Sequence, residues 1–193
     1  DKLKIISIVG TNGKTSTSYI LEAILSKAGY NTAVIGTNGI FFNGQKHYSG
    51  LTTPDPIELH YWFRKMYLNK VDVVIMEVSA HAIELKKMQG ICAEVAIFTN
   101  FSQDHLDFFK TMQNYARVKK SYFTDKYVKN AVVNADDELG REILKILPSA
   151  TYAINNDADI TAQDLLLEKD GSEYVKNFGN QTAKVTSRLA GRF

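Results

Sequence analysis

Two short runs, VDVVIMEVS from Val71 and AEVAIFTN from Ala93, are apolar almost without interruption. A strand with one wet face alternates apolar and polar residues. A strand covered on both faces reads as these do, and such strands belong to parallel sheets joined by helical crossovers. The intervening segments agree. TSTSYILEAILSKAG sets Ile20, Leu21, Ile24, Leu25 and Ala28 at helical spacing and closes on Gly29. DPIELHYWFRKMYLNK opens on Asp55 as a cap and Pro56 in the first turn. TMQNYARVKKSYF and DDELGREILKIL supply further helices, the second followed by Pro148. KIISIVG, TAVIG and NAVVNAD read as strands, and Asn43-Gly44 signals a hairpin. The pattern predicts an α/β fold, a mostly parallel sheet of P-loop type flanked by helices over residues 1–149. Residues 150–193 change texture: short β-rich runs with a turn at Asp170-Gly171 predict a small antiparallel β patch near the C-terminus.

Bulk properties exclude some functions. The net charge is +2 and no Lys/Arg block stands out, which disfavours nucleic acid or an anionic membrane as the main partner. The apolar runs are too short to span a bilayer. The single cysteine, Cys92, cannot form an intramolecular disulfide, which fits a reducing, cytoplasmic setting; it reads as a small buried hydrophobe. No signal peptide is expected before Asp1. Both ends look cut, one entering a strand at once and the other stopping at RLAGRF, so an excised domain of a longer protein is expected.

Chemistry is expected beyond the carboxyl ends of the strands, where ligands bind in open α/β sheets. The first strand delivers VGTNGKTSTSY from Val9. This loop lacks the spacing of the Walker pattern G-x-x-x-x-G-K-S/T, since Ile8 stands at its first glycine. The ingredients of a phosphate site are still present. Gly10 and Gly13 free backbone N–H groups to turn toward an anion, and a helix N-terminus follows. Lys14 can neutralise phosphate oxygens, and the Thr15 hydroxyl can ligate magnesium. Glu77 ends an apolar run and needs a partner there, as a direct or indirect magnesium ligand. The next run ends in FTNFSQDHLDF, with Asn100, Asp104, His105 and Asp107. Tyr115 and Lys119 share a helix face, where a lysine is ordinarily a solvated charge; Lys120 is its near register alternative. Asn69-Lys70-Val71-Asp72 matches the guanine-reading N-K-x-D but precedes a strand instead of following one, so it reads as a connector.

Taken together, the motifs resemble the central domain of the Mur ligases, the ATP-dependent amide-bond ligases of peptidoglycan synthesis. That family's loop is G-T-N/D-G-K-S/T, and this chain has GTNGKTS. TTPD (52–55), MEVSAHAI (76–83), FTNFSQDHLDFF (98–109), YARVKKSYF (115–123) and NADD (134–137) follow in the family's order. They are most similar to the member that adds the third residue of the peptide stem. RLAGRF is similar to the segment that precedes the family's C-terminal domain.

The resemblance implies roles. Gly10, Thr11, Asn12, Gly13, Lys14, Thr15 and Ser16 would cradle the ATP phosphates, with Asn134 and Asp137 near the nucleoside. Lys14, Glu77, His105 and Lys119 would be catalytic. Thr15, Glu77, His105 and Lys119, the last as a CO₂-derived carbamate, would hold two magnesium ions. Thr52, Thr53, Ser79 and Lys87 would contact UDP-MurNAc-L-Ala-D-Glu, to which a diamino acid is joined through an acyl phosphate. The uridine-binding N-terminal and amino-acid-binding C-terminal domains would lie outside this chain, leaving a monomer inactive alone. Ala80, Lys87 and Leu51 depart from the family's usual serine, arginine and asparagine. Another enzyme of the superfamily, such as folylpolyglutamate synthase or cyanophycin synthetase, remains an alternative, as do a nucleotide-binding module and a GTPase-type switch.

Overall fold

The computed structural model describes residues 3–189. Strand β1 (Lys4–Val9) lies between β5 (Val73–Glu77) and β6 (Ala93–Phe98), parallel to both. Helix α1 (Lys14–Lys27) leads from β1 to β2 (Thr32–Gly36), which pairs parallel with β5. The hairpin β3 (Gly39–Phe42) and β4 (Gln45–His47) turns on Asn43 and Gly44, both at positive φ, and adds an antiparallel edge. Helix α2 (Pro56–Leu68) precedes β5, and α3 (Ala80–Glu84) follows it. After β6 come the short α4 (Leu106–Phe109), α5 (Met112–Tyr122) and β7 (Val128–Asn134), which pairs parallel with β6.

Helix α6 (Glu138–Leu144) leads to β8 (Ala150–Ala153), then to β9 (Ile160–Glu168), β10 (Gly171–Phe178) and β11 (Gln181–Ser187). The described strands form one sheet in the order β11-β10-β9-β8-β7-β6-β1-β5-β2-β3-β4. The C-terminal region thus differs from the sequence expectation in one respect. β8 pairs parallel with β7, and β9 with β8, so the parallel sheet runs past residue 149. The helix α6 makes this a further crossover unit; only β9–β10–β11 is antiparallel.

The predicted double burial is met in full by β5, whose five residues are all buried. Val73 and Ile75 pack with Ile8 and Val34 against Leu21 and Leu25 of α1. Val74 and Met76 face the other way, into a larger core with Leu59, Trp62 and Met66 of α2 and Tyr122 of α5. Successive strand residues point to opposite faces, so two helical layers need this pattern. Helix α1 is covered less than its spacing implies: Ile20 and Ile24 remain exposed. Gly29 closes it at φ 92, as expected. Cys92 is exposed rather than buried; it lies just before β6, at the end of the sheet where that strand begins. Asn69–Asp72 lies at the edge where β5 begins, opposite the phosphate loop; Asp72 there accepts the Asn31 N–H at 2.8 Å. Of RLAGRF, residues 190–193 lie outside the described residues.

Candidate active site

The loop after β1 is braced from β6. Thr11 N–H donates to the Asn100 carbonyl at 2.9 Å, and Asn12 N–H to Asn100 Oδ1 at 2.9 Å. Thr99 Oγ1 donates to the Asn12 carbonyl at 2.7 Å. Gly10 is required for this approach: a Cβ there would stand 1.9 Å from Thr99 Oγ1. Gly13 caps α1 in the left-handed region, at φ 81, without a side-chain cap bond, and the first turn carries no acid. The first N–H groups of a helix lack intrahelical acceptors, so those of Lys14, Thr15 and Ser16 are available to an anion. Lys14 Nζ donates to the Gly10 and Thr11 carbonyls at 3.0 and 2.8 Å. Burial lowers its pKa from the ordinary lysine value; Glu77 and Asp104 nearby oppose that effect.

Glu77, 1% exposed, collects hydroxyl donors. Oε2 accepts from Thr15 Oγ1 at 3.0 Å and from Thr37 Oγ1 at 3.1 Å, while Oε1 accepts from Thr37 N–H at 3.2 Å. Thr37 Oγ1 also lies 3.1 Å from Thr52 Oγ1. A buried carboxylate with two swivelling hydroxyls is a set of hard oxygen donors of the type magnesium takes, so these residues fit that ion.

Lys119 is 1% exposed, with Nζ 4.6 Å from the centre of the Tyr115 ring. Among the described residues it has no hydrogen-bond or ion-pair partner. Burial, then the charge of Lys14, push its pKa down to about 7, against the opposing pull of Asp104 and Asp137. Lys119 points inward, while Lys120 ion-pairs with Glu142 on the surface side. His105 begins α4 at φ 52, with Nε2 3.3 Å from Asp104 Oδ2. Its ring meets His81 at 4.8 Å and Tyr115 at 6.0 Å. Burial, then His105, lower the His81 pKa, which favours neutral imidazole.

The remaining expected site residues are engaged within the fold. Thr53 Oγ1 donates to the Glu77 carbonyl at 2.9 Å and accepts from Ser79 N–H at 3.0 Å. Ser79 caps α3 by accepting from Ala82 N–H. Lys87 pairs at 2.7 Å with Asp55, whose carboxylate makes no cap bond to α2. Asn134 Nδ2 donates to the Thr99 carbonyl at 2.8 Å, and its Oδ1 accepts from Asp136 N–H. Asp137 caps α6 through Oδ1 and accepts from Phe101 N–H at 2.7 Å through Oδ2. Among the described residues no group of three or more His, Cys, Asp and Glu could hold a metal ion, and two of the four expected ligands, Thr15 and Lys119, are of none of these types. Thr15 and Glu77 meet directly, whereas His105 and Lys119 each approach the Tyr115 ring. Sequence reasoning missed Thr37. Its signal was available, a hydroxyl just past the end of β2, one strand away from Glu77 at the end of β5.

Loop, helix and acidic strand end, set around a parallel sheet with β1 between β5 and β6, define an α/β domain of P-loop type. The family model of the Mur ligase middle domain matches residues 8–193, and the chain belongs to that family. The UDP-N-acetylmuramoyl-L-alanyl-D-glutamate–2,6-diaminopimelate ligase of Clostridium botulinum is 38% identical over 193 residues, 99% of this chain and 40% of the relative. The Bacillus velezensis protein of the same name is 38% identical over 201 residues, covering all of this chain and 41% of its own length. A solved ligase of that name superposes with a TM-score of 0.89 at 28% identity, over 98% of this chain and 40% of that one. The chain therefore spans about two fifths of the length of these relatives. No helix among the described residues is long and apolar enough to cross a membrane.

Proposed function

We propose that this chain is the ATP-binding central domain of a MurE-type ligase, a cytoplasmic, monomeric enzyme that extends UDP-MurNAc-L-Ala-D-Glu by a diamino acid. The observation that carries the reading is a buried, unpaired Lys119 beside a braced phosphate loop. The relatives' names point to 2,6-diaminopimelate as the amino acid. Uridine binding and amino-acid choice would reside in parts of the ligase outside these residues. The isolated chain would bind ATP without ligating.

In the proposed reaction, an oxygen of the substrate carboxylate attacks the γ-phosphorus of ATP, and the bond to the ADP oxygen breaks. The acyl phosphate so formed has a leaving group that a free carboxylate lacks. The amine of the diamino acid attacks its carbonyl carbon, phosphate departs, and the amine gives up a proton as the amide forms. The free N–H groups after Gly13 would hold the phosphates, and Lys14 would exchange its loop carbonyls for the transferred phosphoryl oxygen. Asn134 and Asp137 would shape the nucleoside side through the backbone they fix. Thr52, Thr53, Ser79 and Lys87 would line the approach of the muramoyl peptide.

Magnesium would neutralise phosphate charge, with Glu77, Thr15 and Thr37 holding one ion and His105 with a carbamate on Lys119 holding a second. Lys119 suits carbamate formation because a pKa of about 7 leaves a nucleophilic neutral amine near neutrality.

The test is a chimera in which residues 8–193 replace the middle domain of the Clostridium botulinum ligase. Phosphate release should require both the UDP-muramoyl dipeptide and diaminopimelate, and Lys119→Ala should abolish it. Turnover of ATP that ignores the amino acid and survives Lys119→Ala would refute the proposal.

A further inference from the structure

We infer that Tyr115 is a positioning residue that serves two parts of the site at once, the phosphate loop through its hydroxyl and Lys119 through its ring. The side chain is 1% exposed and lies on α5, one turn before Lys119. Its hydroxyl is 3.4 Å from Thr11 Oγ1, and that same Thr11 oxygen accepts from Ser102 N–H at 3.1 Å. The phenol therefore ties α5 to the loop whose next residues bind phosphate in the proposed function. Burial raises its pKa, so the hydroxyl stays protonated and able to donate.

The ring is fixed independently. Phe109 stacks on it at 5.0 Å and Phe101 tilts against it at 5.1 Å. Lys119 Nζ stands 4.6 Å from its centre. Among the described residues the amine has no hydrogen-bond partner, and the ring is the face its nitrogen lies against; the protonated form is held there by cation–π attraction and the neutral form by packing alone. A phenylalanine would fill the same volume, so packing alone does not call for the hydroxyl. A leucine would keep the site apolar but remove the aromatic face. The two contacts are thus separable by substitution.

The Lys119 half rests on the reading of Lys119 as the carbamate-bearing lysine. In that step the nitrogen lone pair forms a bond to the carbon of CO₂, a C=O electron pair moves onto oxygen, and one N–H proton leaves to solvent. Tyr115 would hold the amine where this product meets His105, whose ring edge also contacts Tyr115 at 6.0 Å.

The experiment uses the 193-residue chain, with Tyr115→Phe and Tyr115→Leu beside it and Lys119→Ala as the control that assigns the carbamate signal. Affinity is read with a fluorescent ADP analogue and magnesium, carbamate by carbon NMR in labelled bicarbonate, and folding by thermal unfolding. Tyr115→Phe should weaken nucleotide binding about three- to ten-fold, the scale of one lost buried hydrogen bond, with carbamate intensity unchanged. Tyr115→Leu should also lower carbamate intensity, by at least about two-fold, because the amine loses the wall that places it. A Phe variant that binds nucleotide like the parent overturns the loop half. A folded Leu variant with full carbamate intensity overturns the ring half. A parent chain without any carbamate signal overturns the carbamate reading of Lys119 and the ring half with it, while the Phe variant's affinity still decides the loop half.

Discussion

Replacing Lys119 by methionine removes a buried amine while keeping length and apolar volume. An ordinary lysine titrates at 10.5 and Lys119 at about 7, chiefly because burial penalises its ammonium. At 1.36 kcal/mol per pH unit, that gap is on the order of 5 kcal/mol of instability when the group is protonated in both states. Between about pH 7 and 10.5 the unfolded chain holds this proton and the folded chain does not. Unfolding within that window takes up a proton, so raising the pH disfavours unfolding and wild-type stability rises. The variant has no such group and escapes the penalty at every pH. Lys119→Met should therefore be the more stable protein by on the order of 5 kcal/mol at pH 6, and by about a third of that at pH 9.5. The lost cation–π contact subtracts up to about 1 kcal/mol at pH 6, where Lys119 is protonated, and nothing at pH 9.5, where it is neutral. Urea denaturation in CO₂-free buffer, followed by the fluorescence of the single tryptophan, Trp62, measures the gap. Trp62 is buried against Phe42 and His47, so its emission reports loss of the core. A difference that does not shrink with rising pH, or a wild type that is the more stable at pH 6, would refute the reasoning.

Thr37→Val should deprive Glu77 of one hydroxyl donor without changing shape, and reduce Mn²⁺ affinity by about ten-fold or more by titration with paramagnetic detection. Asp137→Ala should cost about 1 kcal/mol through the lost α6 cap, seen as a lower Tm, while nucleotide affinity stays within about twofold; a larger loss of affinity would restore a direct nucleotide contact. Hydrogen exchange should separate the two halves of the site. Amides of α4, four residues bounded by positive-φ His105 and Lys110, should exchange well before those of the fully buried β5, and equal protection would contradict the division.

Much of the sheet was legible because burial on both faces leaves an unbroken apolar run, and Val73–Glu77 and Ala93–Phe98 are the strands expected from it. Glu77 was legible for the same reason, as a charge closing such a run. The parallel pairing of β8 was not, since four half-covered residues carry no directional signal and only the preceding α6 crossover fixes it. The inward face of Lys119 could not be read from its helix either. Spacing placed it beside Tyr115, but its burial and the neighbouring charge of Lys14, which lies far away in sequence, are set by the tertiary fold. His105 shows the same limit, because its left-handed backbone sets the ring against His81 and Tyr115, and a lone loop histidine announces neither.

The two halves of the site are held by different kinds of structure. At the sheet, side chains occupy the space that missing Cβ atoms leave. A Cβ on Gly36 would stand 2.1 Å from Glu77 Oε1, as one on Gly10 would crowd Thr99. Strand register fixes both placements, through Ile8 opposite Glu77 and Val9 opposite Phe98. Glu77 and the phosphate loop therefore cannot shift without sliding strands. Lys119 and His105 depend instead on α5 and the four-residue α4, whose hold on the loop includes a single hydroxyl contact from Tyr115 to Thr11. A cradle set by strand register, facing an amine and an imidazole set by short helices, would suit the two-stage reaction proposed for the ligase. The nucleotide must stay fixed while the group that receives the phosphoryl arrives, reacts and leaves.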